Sequence, residues 1–422
     1  MDFSPHMDNL LKPFIKSLGK CKKREKSKKD LKIYESVLIS LYNDIYLANT
    51  TIFNKGCLQS KVINLSIESD KKNANSPYMN VRYFPEHIKK YIKDNEAYQL
   101  IFTCKNIGGR EIVIHFTLFS KDDLENLEKY VNYVKMMYIW LSICTKYDDN
   151  NCTRILNIFI YLTPFTKKLP LTSSGIIGPD HVNTAYTTAC TKNGEMVIFR
   201  EEEWFKVFVH ETFHAYGLDF STNSFNNIKE KLREIFPINS DFDIYETYTE
   251  TWARIINCAF CSFNSLKNKK DKESFIMNIN FCLDIERLFS IYQCVKILGF
   301  MGIEYKKLYN NKTHQERETN RILYKENTHV FSYYILTSVF LNDYIGFMNW
   351  CKNNNNSLLK FDSTSKKFES FLKYILSTYN CMHLLKGITY MNKLTQSMHD
   401  SKKVNNYKDL LKTTRMSILN MI

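Results

Sequence analysis

The run Val209-His210-Glu211-Thr212-Phe213-His214-Ala215-Tyr216-Gly217 restricts this chain more than any other stretch of it. Two histidines four residues apart project from one face of a helix, one turn apart. Phe205, Phe208, Val209 and Phe213 make most of the segment apolar, so the helix must be enclosed. Glu201, Glu202 and Glu203 suit a helix start, and Gly217 stands where a helix ends on a left-handed residue.

Imidazoles so spaced can hold one Zn²⁺ at about 2.0–2.1 Å each. Glu211 adjoins His210 and can reach a water on the metal. Zinc lowers the pKa of such a water to roughly 7, and a nearby carboxylate takes its proton as it attacks a carbonyl. A catalytic zinc keeps three protein ligands and one open position. The run Ile244-Tyr245-Glu246-Thr247-Tyr248-Thr249-Glu250 offers Glu246 as the third ligand. Glu250, one helical turn further, can accept a hydrogen bond from a ligating histidine and fix its ring. One catalytic zinc ion is therefore the expected cofactor, with a peptide or protein as substrate.

Gly217 sits at the metzincin glycine, but Phe220 occupies the position of that group's last histidine, and Asp219 falls one residue early for an aspartate in its place. The arrangement instead resembles the gluzincins, in which a glutamate on a following helix completes the site. His210, Glu211, His214, Glu246 and Glu250 match that pattern. The run His181-Val182-Asn183-Thr184-Ala185-Tyr186-Thr187, then Ile198-Phe199-Arg200 to Trp204, then His210 to Asp219, is similar to zinc-peptidase-like proteins of large DNA viruses. The resemblance implies a zincin core, zinc peptidase chemistry, and a place in the host-cell cytoplasm or the virion. It also implies that the strand before the zinc helix lies at the sheet edge and pairs with extended peptide. Asn183 and Ala185 are the candidate substrate contacts on that strand.

The wider pattern predicts an α+β fold, mainly helical. A zincin-like core with a small mixed sheet and an antiparallel edge strand is expected over residues 61–265. A basic, helical region would precede it over 1–60, and a helical domain over 266–422 would close the cleft. Leu31 to Leu47 has helical periodicity. Lys61 to Ile67, Tyr98 to Cys104, Arg110 to Phe119, Arg154 to Thr163 and Val182 to Thr188 read as strands, and Ser120 starts a helix over Lys121–Thr145. Asn193-Gly194 reads as a tight turn into Met196–Phe199. Helices follow over Phe275–Ile297, Thr319–Glu326, Phe331–Trp350 and Phe368–Ser377. His329 and Tyr333 are four apart near the start of one of them and are candidate donors to an oxyanion. His115 and His383 read as structural.

The formal charge is +14, which favours anionic partners, nucleic acid among them. The run Lys20 to Lys29 reads as a solvated linker, an import-like patch or an electrostatic tether. Met1 to Leu11 is polar and interrupted by Pro5, so secretion is not expected. Val330 to Trp350 is the most apolar stretch, but Asn342 and Asp343 interrupt it, so no membrane span is expected. The 12 cysteines lack framework spacing, which points to reduced thiols and a cytoplasmic setting. Cys258 and Cys261 form a lone C-x-x-C on a helix and read as core thiols. Two rival functions remain: a catalytically degenerate zincin-fold virion or scaffold protein, and a basic nucleic-acid-associated protein with a structural zinc.

Overall fold

A computed structural model describes residues 5–52, 58–67, 71, 74, 77, 79, 81–148, 151–222, 226–400 and 407–420. The fold is α+β and mainly helical, with one six-stranded mixed sheet among the described residues. The chain divides into two compact units built from interleaved stretches. The first unit comprises Met1–Ile39, Lys167–Val182 and Asn223–Asn420; the second comprises Ser40–Thr166, Asn183–Thr222 and Met421–Ile422. The helix Lys28–Ile52 contributes residues to both.

The second unit holds the sheet. Its strands are β1 (Leu58–Asn64), β2 (Tyr98–Ile107), β3 (Arg110–Leu118), β4 (Ile155–Tyr161), β5 (Ala185–Thr187) and β6 (Asn193–Ile198). They lie in the order β1-β2-β3-β4-β6-β5. β3, β4 and β6 are parallel; β1, β2 and β5 pair antiparallel with their neighbours. The alternating side chains of β4 explain the layers. Phe159 and Tyr161 join Val197 and Phe199 in a core under the helix Glu86–Asn95, while Leu156, Ile158 and Ile160 are buried on the other face. The helix Leu127–Cys144 packs on β2, and Trp204–Tyr216 packs on β5 and β6. Trp140 of the former stacks on Phe213 of the latter at 6.0 Å.

Several local expectations need correction. The long helix after Ser120 breaks at Asn126, although Ser120 and Asp123 form the capping box that starts it. Asn193-Gly194 is not a turn. Both residues lie in β6, and a Cβ on Gly194 would meet Thr153 Cγ2 at 2.8 Å, so close packing, not a bend, calls for the glycine. Cys152 and Cys190 form a disulfide across a separation of 38 residues, against the expectation of reduced thiols; the other nine described cysteines are free. Sequence spacing could not find this pair because its two loops meet only through the packing of β4 and β6.

The first unit is helical. Its longest helix, Lys272–Phe300, packs against Pro5–Ile15, Ile244–Asn264, Thr337–Asn342 and Met382–Asp400, the last unforeseen in the sequence. Buried Arg254 pairs with buried Glu286 at 2.7 Å, and Glu286 also accepts from the backbone N–H groups of Ile418 and Leu419. The expected helix Phe331–Trp350 is interrupted. It opens as a π-helix over Phe331–Leu336 and breaks at Asp343, whose carboxylate caps Tyr344–Asn354 through Gly346 N–H. Part of the basic run is held by acids of its own unit: Lys23 pairs with Asp284 at 2.8 Å and Lys26 with Asp343 at 2.6 Å. Cys258 is a core thiol and Cys261 is part-buried beside it; desolvation pushes both well above the usual range. No helix among the described residues is long and apolar enough to cross a membrane.

Candidate metal centre

The histidine helix runs from Trp204 to Tyr216, and all of its residues are buried. It begins later than the three acids suggest. Glu201 N–H donates to Thr163 O at 3.1 Å, and Glu203 takes φ +62 as the N-cap, so the acids form the turn out of β6. The other end is as expected. Gly217 has φ +61, its N–H donates to His214 O, and Leu218 N–H donates to Phe213 O. This pair of bonds closes a helix on a left-handed residue and satisfies its last carbonyls.

His210, Glu211 and His214 are each less than a tenth exposed. The two Nε2 atoms face each other at 3.2 Å. Two nitrogens at about 2.0–2.1 Å from one tetrahedral ion would be roughly 3.3 Å apart. The spacing therefore fits a shared metal without movement of either ring. His214 Nδ1 is bonded to the Asp219 carboxylate, and Asp219 Oδ1 accepts from Ser221 N–H at 3.1 Å and Ser221 Oγ–H at 2.8 Å.

The glutamate helix runs from Ile244 to Asn264. Glu246 lies in its first turn, where the helix dipole favours a carboxylate, and Glu250 is fully buried one turn on. The π-helix is fastened to this first turn. Ser332 Oγ–H donates to Asp243 O at 2.7 Å, Thr247 Oγ–H donates to Ser332 O at 3.3 Å, and the Tyr333 hydroxyl donates to Glu246 Oε2 at 3.1 Å. His329 Nδ1 lies 3.8 Å from Asp243 Oδ2. Short π segments recur at functional sites, and this one delivers Tyr333 to the acid read from the sequence as a ligand.

His210, His214 and Glu246 each offer one ligand atom, and these atoms all lie within 4.8 Å of one another. Such a buried group could hold a metal ion. Its donor set, two imidazoles and one carboxylate, is one that catalytic zinc uses. No protein-family model, curated protein or solved structure matches the chain.

The remaining candidates are placed as follows. Asn183 precedes β5, and its carbonyl accepts from Arg200 Nε–H at 2.9 Å. Ala185 lies in β5 opposite Ile198, and β5 ends the sheet order. Sequence reading passed over Asp219 because it tested that residue only as a ligand. The available signal was its position just beyond a helix-ending glycine, where the chain can turn back toward the second histidine.

Proposed function

We propose that this protein is a zinc metallopeptidase of gluzincin type, akin to the zinc-peptidase-like proteins of large DNA viruses. The observation that carries the reading is the convergence of His210, His214 and Glu246. Zinc held there would supply Lewis acidity and lower the pKa of a water to roughly 7. Glu211, next to His210 on the buried helix, takes the proton of the attacking water and hands it to the leaving amine. Tyr333 fixes the Glu246 carboxylate through its hydroxyl. Of the two candidate donors to the oxyanion, His329 is the one proposed, because the single hydroxyl proton of Tyr333 is given to Glu246 Oε2; Glu250 supports the site from the next turn. As the last strand of the sheet, β5 would take an extended peptide by main-chain pairing, which gives affinity with little choice of side chain. Asn183 and Ala185 would contribute to that pairing. The surplus of basic residues would favour acidic partners.

The test compares zinc content and peptide hydrolysis in the wild type and in Glu211→Gln. Retained zinc with hydrolysis lowered by several orders of magnitude is the expected result. A zinc-loaded wild type that cleaves nothing in a broad pool of unstructured peptides, and whose metal is closed to hydroxamates, would favour the virion or scaffold reading instead.

A further inference from the structure

We infer that Asp219 is a positioning residue, held by Ser221, that sets which ring nitrogen His214 presents to a metal. The inference deepens the metal-site reading and rests on it for its metal-dependent part. The relevant groups all lie between the histidine helix and Ser221. Leu218, fully buried, anchors the chain after Gly217, and Asp219 then returns its carboxylate to His214 Nδ1. The Asp219 side chain is 1% exposed and that of His214 is 9% exposed, so water scarcely competes for either group.

The protonation pattern follows from donor and acceptor chemistry. An ionised carboxylate only accepts. Oδ1 is engaged by Ser221 N–H and Oγ–H, and Oδ2 faces His214 Nδ1. Nδ1 must therefore carry the ring proton, which leaves the lone pair of neutral His214 on Nε2. That is the nitrogen 3.2 Å from His210 Nε2, the one a shared metal would use. A carboxylate behind a ligating imidazole fixes tautomer and ring orientation and typically contributes 10–100-fold in metal affinity. The acid bonded to His214 is Asp219.

Ser221 sharpens the inference into a test. In Asp219→Asn the amide oxygen must stay with Ser221 N–H, which can only donate. The amide NH₂ is then turned toward His214 Nδ1. That forces the lone pair onto Nδ1 and the proton onto Nε2, where it blocks the metal. A similar carboxylate-to-amide change in a histidine pair elsewhere leaves geometry intact and installs the wrong tautomer. The near-isosteric Asp219→Asn should therefore bind zinc more weakly than Asp219→Ala, the reverse of what a purely structural role would produce.

The experiment titrates zinc against a chromogenic chelator in the full chain, for wild type, Asp219→Asn, Asp219→Ala and Asp219→Glu. It also reads the His214 tautomer in metal-free protein from imidazole ¹⁵N shifts. Expected are a loss of about 10–100-fold in zinc affinity for Asp219→Ala, a larger loss for Asp219→Asn and partial recovery for Asp219→Glu. The metal-free wild type should show Nδ1–H, and Asp219→Asn should show Nε2–H. Equal zinc affinity across the set, or an Asp219→Asn milder than Asp219→Ala, overturns the inference and leaves the metal site standing. A wild type that binds no zinc sinks the metal reading, and the ¹⁵N result then decides the tautomer claim alone: Nε2–H in wild type overturns it.

Discussion

The backbone N–H of Cys190 donates to the carbonyl oxygen of His214 at 3.1 Å. The loop that carries the disulfide is thus fastened to the last turn of the histidine helix. Thr153 Oγ–H adds a bond to Ala215 O at 2.7 Å from the other side of the bridge. Arg110 in turn donates to the carbonyls of Cys152 and Thr153, pairs with Asp148 at 2.9 Å and lies over the Tyr216 ring. Cys190 and Thr153 both adopt positive φ without being glycine, so each depends on this packing to stay there.

Breaking the bridge should loosen that turn. A loop of 38 residues gives an entropic stabilisation of about 4 kcal/mol in the chain-entropy account, and measured values are typically 2–4. Cys152→Ser with Cys190→Ser should lower the urea-unfolding free energy by about 2–4 kcal/mol. Amide exchange at Ala215 to Leu218 should quicken in the same variant. Unchanged exchange there would mean that the helix end holds without the disulfide.

Gly217→Ala should destabilise for two independent reasons. A side chain at φ +61 is strained, and its Cβ would lie 2.8 Å from Cys152 Sγ. The expected cost is about 1–3 kcal/mol in denaturant unfolding. In the double serine variant part of this cost should vanish, since the hydroxyl is smaller than the sulfur.

Ligand and support variants should separate by metal affinity. His210→Ala, His214→Ala and Glu246→Ala should each abolish tight zinc binding in equilibrium dialysis, and Glu250→Ala should weaken it. Tyr333→Phe removes the donor to Glu246 Oε2. It should cost about tenfold in zinc affinity. If Glu250→Ala strips the metal and Glu246→Ala does not, the two glutamates have been assigned the wrong way round.

Proline at Ala185 tests the edge strand. Ala185 pairs with Ile198 of β6, and β5 ends the sheet. Proline removes a main-chain donor. Peptide cleavage by a folded Ala185→Pro that still binds zinc should fall sharply in kcat/KM. Undiminished cleavage would exclude this strand as the docking site.

Acid should weaken the fold through His115. Burial holds this histidine down to about 4, from an ordinary value of 6.5, as it stacks on Phe159 at 4.6 Å. Its folded value is depressed, so the unfolded chain binds the proton first. Stability is whole above pH 6.5 and is lost as pH falls toward 4, by up to about 3 kcal/mol. His115→Phe should keep the stack and flatten this part of the unfolding-versus-pH curve. An unaltered slope between pH 6.5 and 4 would assign the acid sensitivity to other groups.

Local periodicity was enough for much of this molecule. A separation of four placed the two Nε2 atoms on one face, and Gly217 marked the helix end, because both depend on residues within one or two turns. Strand alternation located the sheet segments, although the first lies over Leu58–Asn64 rather than Lys61 to Ile67 and β5 proved only three residues long. Ser120 with Asp123 caps a helix as its spacing requires, whereas the box of Thr313 with Glu316 was passed over and starts its helix at His314, upstream of the expected Thr319. What lay beyond reach were the partners that no spacing marked. The acid behind His214 depends on where the chain goes after Gly217; the disulfide depends on two loops that β4 and β6 bring together. The glycine of Asn193-Gly194 answers to Thr153 rather than to a turn, and Lys23 and Lys26 answer to acids some three hundred residues away in sequence. A sequence records which residues can neighbour one another along an element. Only the tertiary structure selects among distant side chains of equal chemistry, because burial and close approach decide which of them meet.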